Sequence, residues 1–178
     1  KDILLFSSDD WDSGLKTSKY HLATRLARQN RVFFINSLSL RIPSVSKRDI
    51  EKIFAKLNGF FKGPQEAQKN IHVITPILLP LQKLGMVRFF NNIVVVMQIK
   101  SLLRKFGSKR PQIWTFLPNT LGVIRRLPRQ KLIYYSVDDM SAFRGVPQGV
   151  IRKLDEELAK EADIVFTASK ELFDKKSI

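Results

Sequence analysis

Short apolar runs recur along this chain, and each stops abruptly at polar residues. Ile3-Leu4-Leu5-Phe6 ends in Ser7-Ser8-Asp9-Asp10, and Arg31-Val32-Phe33-Phe34-Ile35 ends in Asn36. Ile71-His72-Val73-Ile74-Thr75-Pro76, residues 111–118, residues 131–137 and residues 163–169 repeat the pattern. Runs this short and this continuously apolar read as strands buried on both faces. Between them lie helical stretches at about 17–29, 47–61, 86–106, 119–126 and 148–162, with one more starting near Lys170. In the first, Leu22, Ala23, Leu26 and Ala27 form one buried stripe, and Thr17 or Ser18 stands where a helix cap is needed. Strands alternating with helices predict an α/β fold, a Rossmann-like parallel sheet with helices on both faces. The 178 residues suit one such domain, spanning 1–178. A sheet of this kind binds ligands beyond the carboxyl ends of its strands, so the residues just after each apolar run are the ones to weigh.

Composition narrows the chemistry. There is no Cys, which excludes disulfides and thiolate metal sites, and only His21 and His72 are available as imidazole ligands, so no metal site is expected. The net charge of +15 calls for an anionic partner. Its distribution is uneven: residues 1–51 carry +3, residues 52–137 carry +14 with Glu66 as the only acid, and residues 138–178 carry −2. Apolar residues run through the basic block, so it reads as a charged face on a folded domain rather than a tail.

Several strand ends carry candidate chemistry. Asp138 and Asp139 close a buried strand, where an Asp can act as general base or hydrogen-bond a sugar. Adjacent residues of an extended chain point opposite ways, so one faces the crevice and the other caps the next turn, unless both only cap. Ser13-Gly14, after the first strand, reads either as a point of close ligand approach or as a plain turn. Asn119 is a helix cap or a ligand contact, with Thr120 the other possible cap, and His21 is a crevice residue or a partly exposed structural one. Ser169 and Lys170 end the last strand, as a cap and a solvated cation or as a phosphate contact, and His72 reads as structural. Neither a dinucleotide fingerprint nor a P-loop follows any strand.

Residues 47–62 form a separate unit. Ile50, Ile53, Phe54, Leu57, Phe60 and Phe61 recur at helical spacing, ringed by Lys47, Arg48, Lys52, Lys56 and Lys62. This composition suits a helix lying in a membrane interface, and equally an amphipathic helix on the sheet with its basic face in water. No apolar stretch is long enough to span a bilayer.

The last third of the chain carries a resemblance. Tyr134-Tyr135-Ser136-Val137-Asp138-Asp139-Met140-Ser141-Ala142-Phe143, then Glu156-Glu157-Leu158-Ala159, then Ala162-Asp163-Ile164-Val165-Phe166-Thr167-Ala168-Ser169 resembles the N-terminal half of GT-B glycosyltransferases of the family-4-like group. It resembles in particular the bacterial enzymes of teichuronic acid and exopolysaccharide assembly. Trp11-Asp12 followed by His21-Leu22-Ala23 and Leu26-Ala27 resembles that group's first loop and helix. The resemblance implies an acceptor-binding domain, with the nucleotide-sugar donor held mainly by a second, C-terminal domain beyond these residues. No cofactor is expected in this domain, which alone would be inactive. The implied partners are that second domain, a nucleotide sugar, a glycan or lipid-linked acceptor and an anionic membrane surface, with no specific nucleic acid. The implied location is cytoplasmic, peripheral at the inner membrane face. Two other classes stay in view: nucleic-acid binding through residues 52–137, and a receiver-like signalling domain in which Asp9-Asp10 and Lys170 would be the acid pair and lysine.

Overall fold

A computed structural model describes residues 1–38, 63–77, 85–143 and 147–176. Seven strands form one sheet: β1 (Asp2–Phe6), β2 (Arg31–Ile35), β3 (Gln65–Gln68), β4 (Ile71–Ile74), β5 (Gln112–Thr115), β6 (Lys131–Ser136) and β7 (Ile164–Thr167). Their spatial order is β3-β4-β2-β1-β5-β6-β7. All pairings are parallel except β3 with β4. The helices are α1 (Ser18–Leu26), α2 (Gly85–Lys105), α3 (Leu121–Ile124), α4 (Gln148–Glu161) and α5 (Lys170–Lys176), with 3-10 turns at Pro118–Thr120 and Met140–Ala142. The expected Rossmann-like α/β sheet is therefore present.

From β1 the chain steps outward to β2 and β4, then crosses back to build β5, β6 and β7 on the other side. Right-handed crossovers put the helices of these two halves on opposite faces. Accordingly, Leu4, Phe6, Phe33, Ile35, Ile113 and Leu132 pack against α2, α3 and Leu158 of α4. Ile3, Leu5, Val32 and Phe34 pack on the other face against Ala23 and Ala27, with Trp11. Toward the β7 edge this second face is more open, with Ile164 and Phe166 exposed and Phe166 stacked on Trp114.

Three local expectations are corrected. The edge strand β3 was not anticipated, because Gln65-Glu66-Ala67-Gln68 is polar and exposed and carries no apolar run. The turn joining them places Asn70 at φ 66, a left-handed conformation that Asn tolerates better than most residues. The helix expected over 119–126 starts instead as the Pro118–Thr120 turn and is regular only over Leu121–Ile124. The α1 cap position is filled by Thr17, but its hydroxyl bonds Asp9 Oδ2 at 2.9 Å instead of a helix N–H.

Leu4 is completely buried in the central strand. Replacing it with Ala is expected to cost about 3 kcal/mol of unfolding free energy by urea titration, the usual penalty for a buried Leu cavity.

Candidate functional site

The order of strands reverses at β1, so the crevice of this sheet opens between the carboxyl ends of β1 and β5. The loops there are tied together by side chains that follow the strands directly. Asn36, buried just past β2, accepts a hydrogen bond from the Trp11 N–H at 2.9 Å and donates to Thr75 Oγ1 at 2.9 Å. It thereby joins the loops after β1, β2 and β4. Asp10 Oδ1 accepts from the Ser37 N–H at 3.1 Å, a second tie between the β1 and β2 loops. From the β5 side, Asn119 Nδ2 donates to the Leu38 carbonyl at 3.3 Å. The Asn119 Oδ1 is buried and finds no hydrogen-bond partner among the described residues.

Lys19 is the residue that sequence reading missed. It is buried, with its ammonium 3.6 Å from Asp9 Oδ2 and 5.8 Å from the centre of the Phe116 ring. Asp9 follows β1 and Phe116 follows β5, so the cation sits at the point where the strand order reverses. A signal was available: Lys19, Ala23 and Ala27 share the i, i+4, i+8 spacing of the buried stripe of α1. A buried ammonium held by one carboxylate is a point charge suited to an anionic ligand group.

The paired aspartates divide as alternation along a strand requires. Asp139 takes the cap: its Oδ1 accepts from the Ser141 N–H at 3.1 Å and hydroxyl at 2.6 Å, and its Oδ2 accepts from Lys175 Nζ at 3.2 Å. The Ser141 hydrogen bonds, then Lys175, hold its carboxyl below the ordinary carboxylate value against a smaller opposing effect of burial. Asp138 is exposed, and no described side chain pairs with it. It is the carboxylate at this strand end that is open to a ligand.

The other candidates are placed as follows. Ser13 and Gly14 lie on an exposed turn, where a Cβ on Gly14 would meet nothing within 4 Å. Their turn leaves room for a ligand, but nothing in the protein itself demands glycine there. His21 is exposed on α1, edge-on to Tyr20. Ser169 Oγ accepts from the Leu172 N–H at 3.3 Å and so caps α5, while Lys170 is exposed in the first turn of that helix. Neither Asn119 nor Thr120 caps a helix with its side chain; the Thr120 hydroxyl is turned inward to Thr115 Oγ1 at 2.8 Å. His72 lies between the Phe33 and Phe106 rings, and burial lowers its pKa, consistent with a structural role. The membrane-docking candidates Lys47, Arg48, Lys52, Phe54, Lys56, Phe60, Phe61 and Lys62 lie outside the described residues. Asp9 and Asp10, the acid pair of the receiver-like reading, are engaged by Thr17, Lys19 and Ser37.

Behind the β6 strand end, the buried Tyr134 phenol donates to Asp155 Oδ1 of α4, and Lys176 of α5 pairs with Asp155 Oδ2. Burial, reinforced by the Asp155 charge, keeps this phenol protonated far into the alkaline range.

Two outcomes follow. Asn36→Ala strands the Trp11 N–H in a buried place and is expected to cost 1–3 kcal/mol, about the penalty for an unpaired buried donor, measured by denaturant titration. Because the folded-state pKa of Asp139 is depressed, its stabilising effect is complete above the ordinary carboxylate range and is lost as pH falls through it. The melting-temperature gap between the native chain and Asp139→Asn should therefore narrow between about pH 6 and pH 2.

No family model matches the sequence. No curated protein matches it. Among solved structures, the fold is similar to a chain of sucrose-phosphate synthase from Thermosynechococcus elongatus, with a TM-score of 0.60 at 14% identity, covering 99% of this chain and 81% of that one. A longer chain of the same enzyme matches with a TM-score of 0.54 at 13% identity, covering 93% of this chain and 41% of that one. At these identities the likeness is one of fold.

Proposed function

We propose that this chain is the acceptor-binding half of a GT-B glycosyltransferase, of the family-4-like group, transferring a hexose from a nucleotide sugar to a membrane-proximal or lipid-linked glycan in cell-surface polysaccharide assembly. The observation that carries the reading is the likeness in fold, over nearly the whole chain, to sucrose-phosphate synthase, a GT-B glycosyltransferase. The motifs at 134–143 and 156–169 support it independently. In this reading the donor is bound mainly by a second domain across the crevice, and this half alone does not turn over. Asp138 is the open carboxylate at the crevice and would accept a proton or hydrogen bond from an acceptor hydroxyl. Asp139 would act by holding the β6 loop. Lys19 would meet an anionic group of the substrate, while Asn119 would hold the β5 and β2 loops together. Ser13, Gly14, His21, Ser169 and Lys170 belong to the flanking loops and helix starts, where the acceptor would extend. The domain would work at the cytoplasmic face of the inner membrane, held there by its basic surface. Among the described residues, no helix is long and apolar enough to cross a membrane.

The whole protein, incubated with radiolabelled nucleotide sugars and a membrane lipid extract, should yield a labelled glycolipid. Asp138→Asn should lower turnover about 100-fold, the lower range for loss of a general base, with the fold intact. Unchanged turnover would reduce Asp138 to a loop residue, and absence of label from every donor and acceptor class would remove the glycosyltransferase reading.

A further inference from the structure

α2 has an outer surface that the described residues leave largely uncovered. Met86, Phe89, Phe90 and Met97 are 50–73% exposed on it. With Lys100 and Arg104, also exposed, they fall within a sector of about 100° around the helix axis, at 100° per residue. Val95, Ile99, Leu102 and Leu103 occupy the opposite side and form the core. Single exposed apolar residues need no explanation, but four large ones on one stripe mark a contact surface. The stripe changes character along its length, apolar in the first turns and cationic in the last.

We infer that this stripe seats the domain on an anionic lipid surface, with Met86, Phe89, Phe90 and Met97 entering the interface and Lys100 and Arg104 meeting the phosphates. Charge complementarity favours this partner. There is no Asp or Glu between Glu66 and Asp138, so α2, α3 and their loops hold no carboxylate to repel the lipid or to pair with a basic partner. The neighbouring α3 end adds to the cationic side: the Arg126 guanidinium lies 5.8 Å from the centre of the Phe89 ring. Apolar side chains beside basic ones, on a helix with no acid, are the composition of an interfacial helix. The topology orients the docked domain. α2 leaves the carboxyl end of β4 and returns to the start of β5, so its apolar first turns lie on the side of the sheet where Asn36, Asn119 and Asp138 stand. A lipid-linked acceptor would then meet the crevice at the bilayer surface. The inference deepens the membrane-proximal reading above and rests on it for that last point only.

The chain contains no Cys, so a single introduced thiol can carry an environment-sensitive fluorophore. Met97→Cys, labelled and mixed with vesicles of phosphatidylcholine and phosphatidylglycerol, should brighten and shift to the blue. Pure phosphatidylcholine should have little effect, and a label at Arg28→Cys, exposed just past α1 on the other face, should stay unchanged. In co-sedimentation, Phe90→Ser with Met97→Ser, and separately Lys100→Glu with Arg104→Glu, should each weaken vesicle binding about tenfold while circular dichroism stays native. Several results would overturn the inference: no vesicle binding, native binding by both folded double variants, a silent Met97 label on bound protein, or retention on nucleic acid in place of vesicles. Sugar transfer by the whole protein to a detergent-solubilised acceptor, measured in parallel, reports on the glycosyltransferase reading alone.

Discussion

The parallel pairing of β1 with both β2 and β5 is the constraint on which the remaining architecture depends. Ile3, Leu4, Leu5 and Phe6 are at most 1% exposed, so this strand must be covered on both faces. A parallel neighbour can be reached only by a crossover, and the handedness of crossovers puts one half's helices above the sheet and the other's below. Covering both faces of β1 therefore requires building outward in both directions from it. The crevice at its carboxyl end is a by-product of that requirement, since loops leaving in opposite directions cannot fill the gap between them.

What stands in that gap is organised by short side chains rather than by long ones. Asn36 spans three loops with two hydrogen bonds, and Asn119 reaches the β2 loop from the β5 side. The loops after β1, β2, β4 and β5 are therefore tied to one another. Asp139 fixes the β6 loop in the same way, through Ser141 and Lys175, which leaves Asp138 as the carboxylate that a ligand can reach without displacing a protein contact.

Most of this arrangement was legible where a residue's position follows from periodicity. The apolar runs located six of the seven strands, and just past β6 Asp139 makes the cap that was one reading of the aspartate pair, while Asp138 is exposed. The features that escaped are of another kind. β3 is held by backbone hydrogen bonds, and its polar side chains carry no trace of the pairing. Thr120 sits where a cap is expected, yet the Thr115 hydroxyl offers it a buried partner from a residue five positions earlier. Lys19 belongs to no motif, although its register with Ala23 and Ala27 turns it toward the sheet. For β3 the deciding partner lies on another strand and leaves no mark in the local pattern, whereas for Lys19 the helical register carries the signal.

The absence of acids between Glu66 and Asp138 has a consequence for control. The charge of that surface is carried by Lys and Arg, whose ordinary titration lies far above neutrality. The one imidazole in the stretch, His72, is set between two phenyl rings with its pKa lowered. Acidification therefore reaches this stretch through His72 only at a lower pH than a free imidazole would need. Screening by salt, over a length of about 8 Å at physiological ionic strength, and the charge density of the partner itself set how strongly the surface pulls.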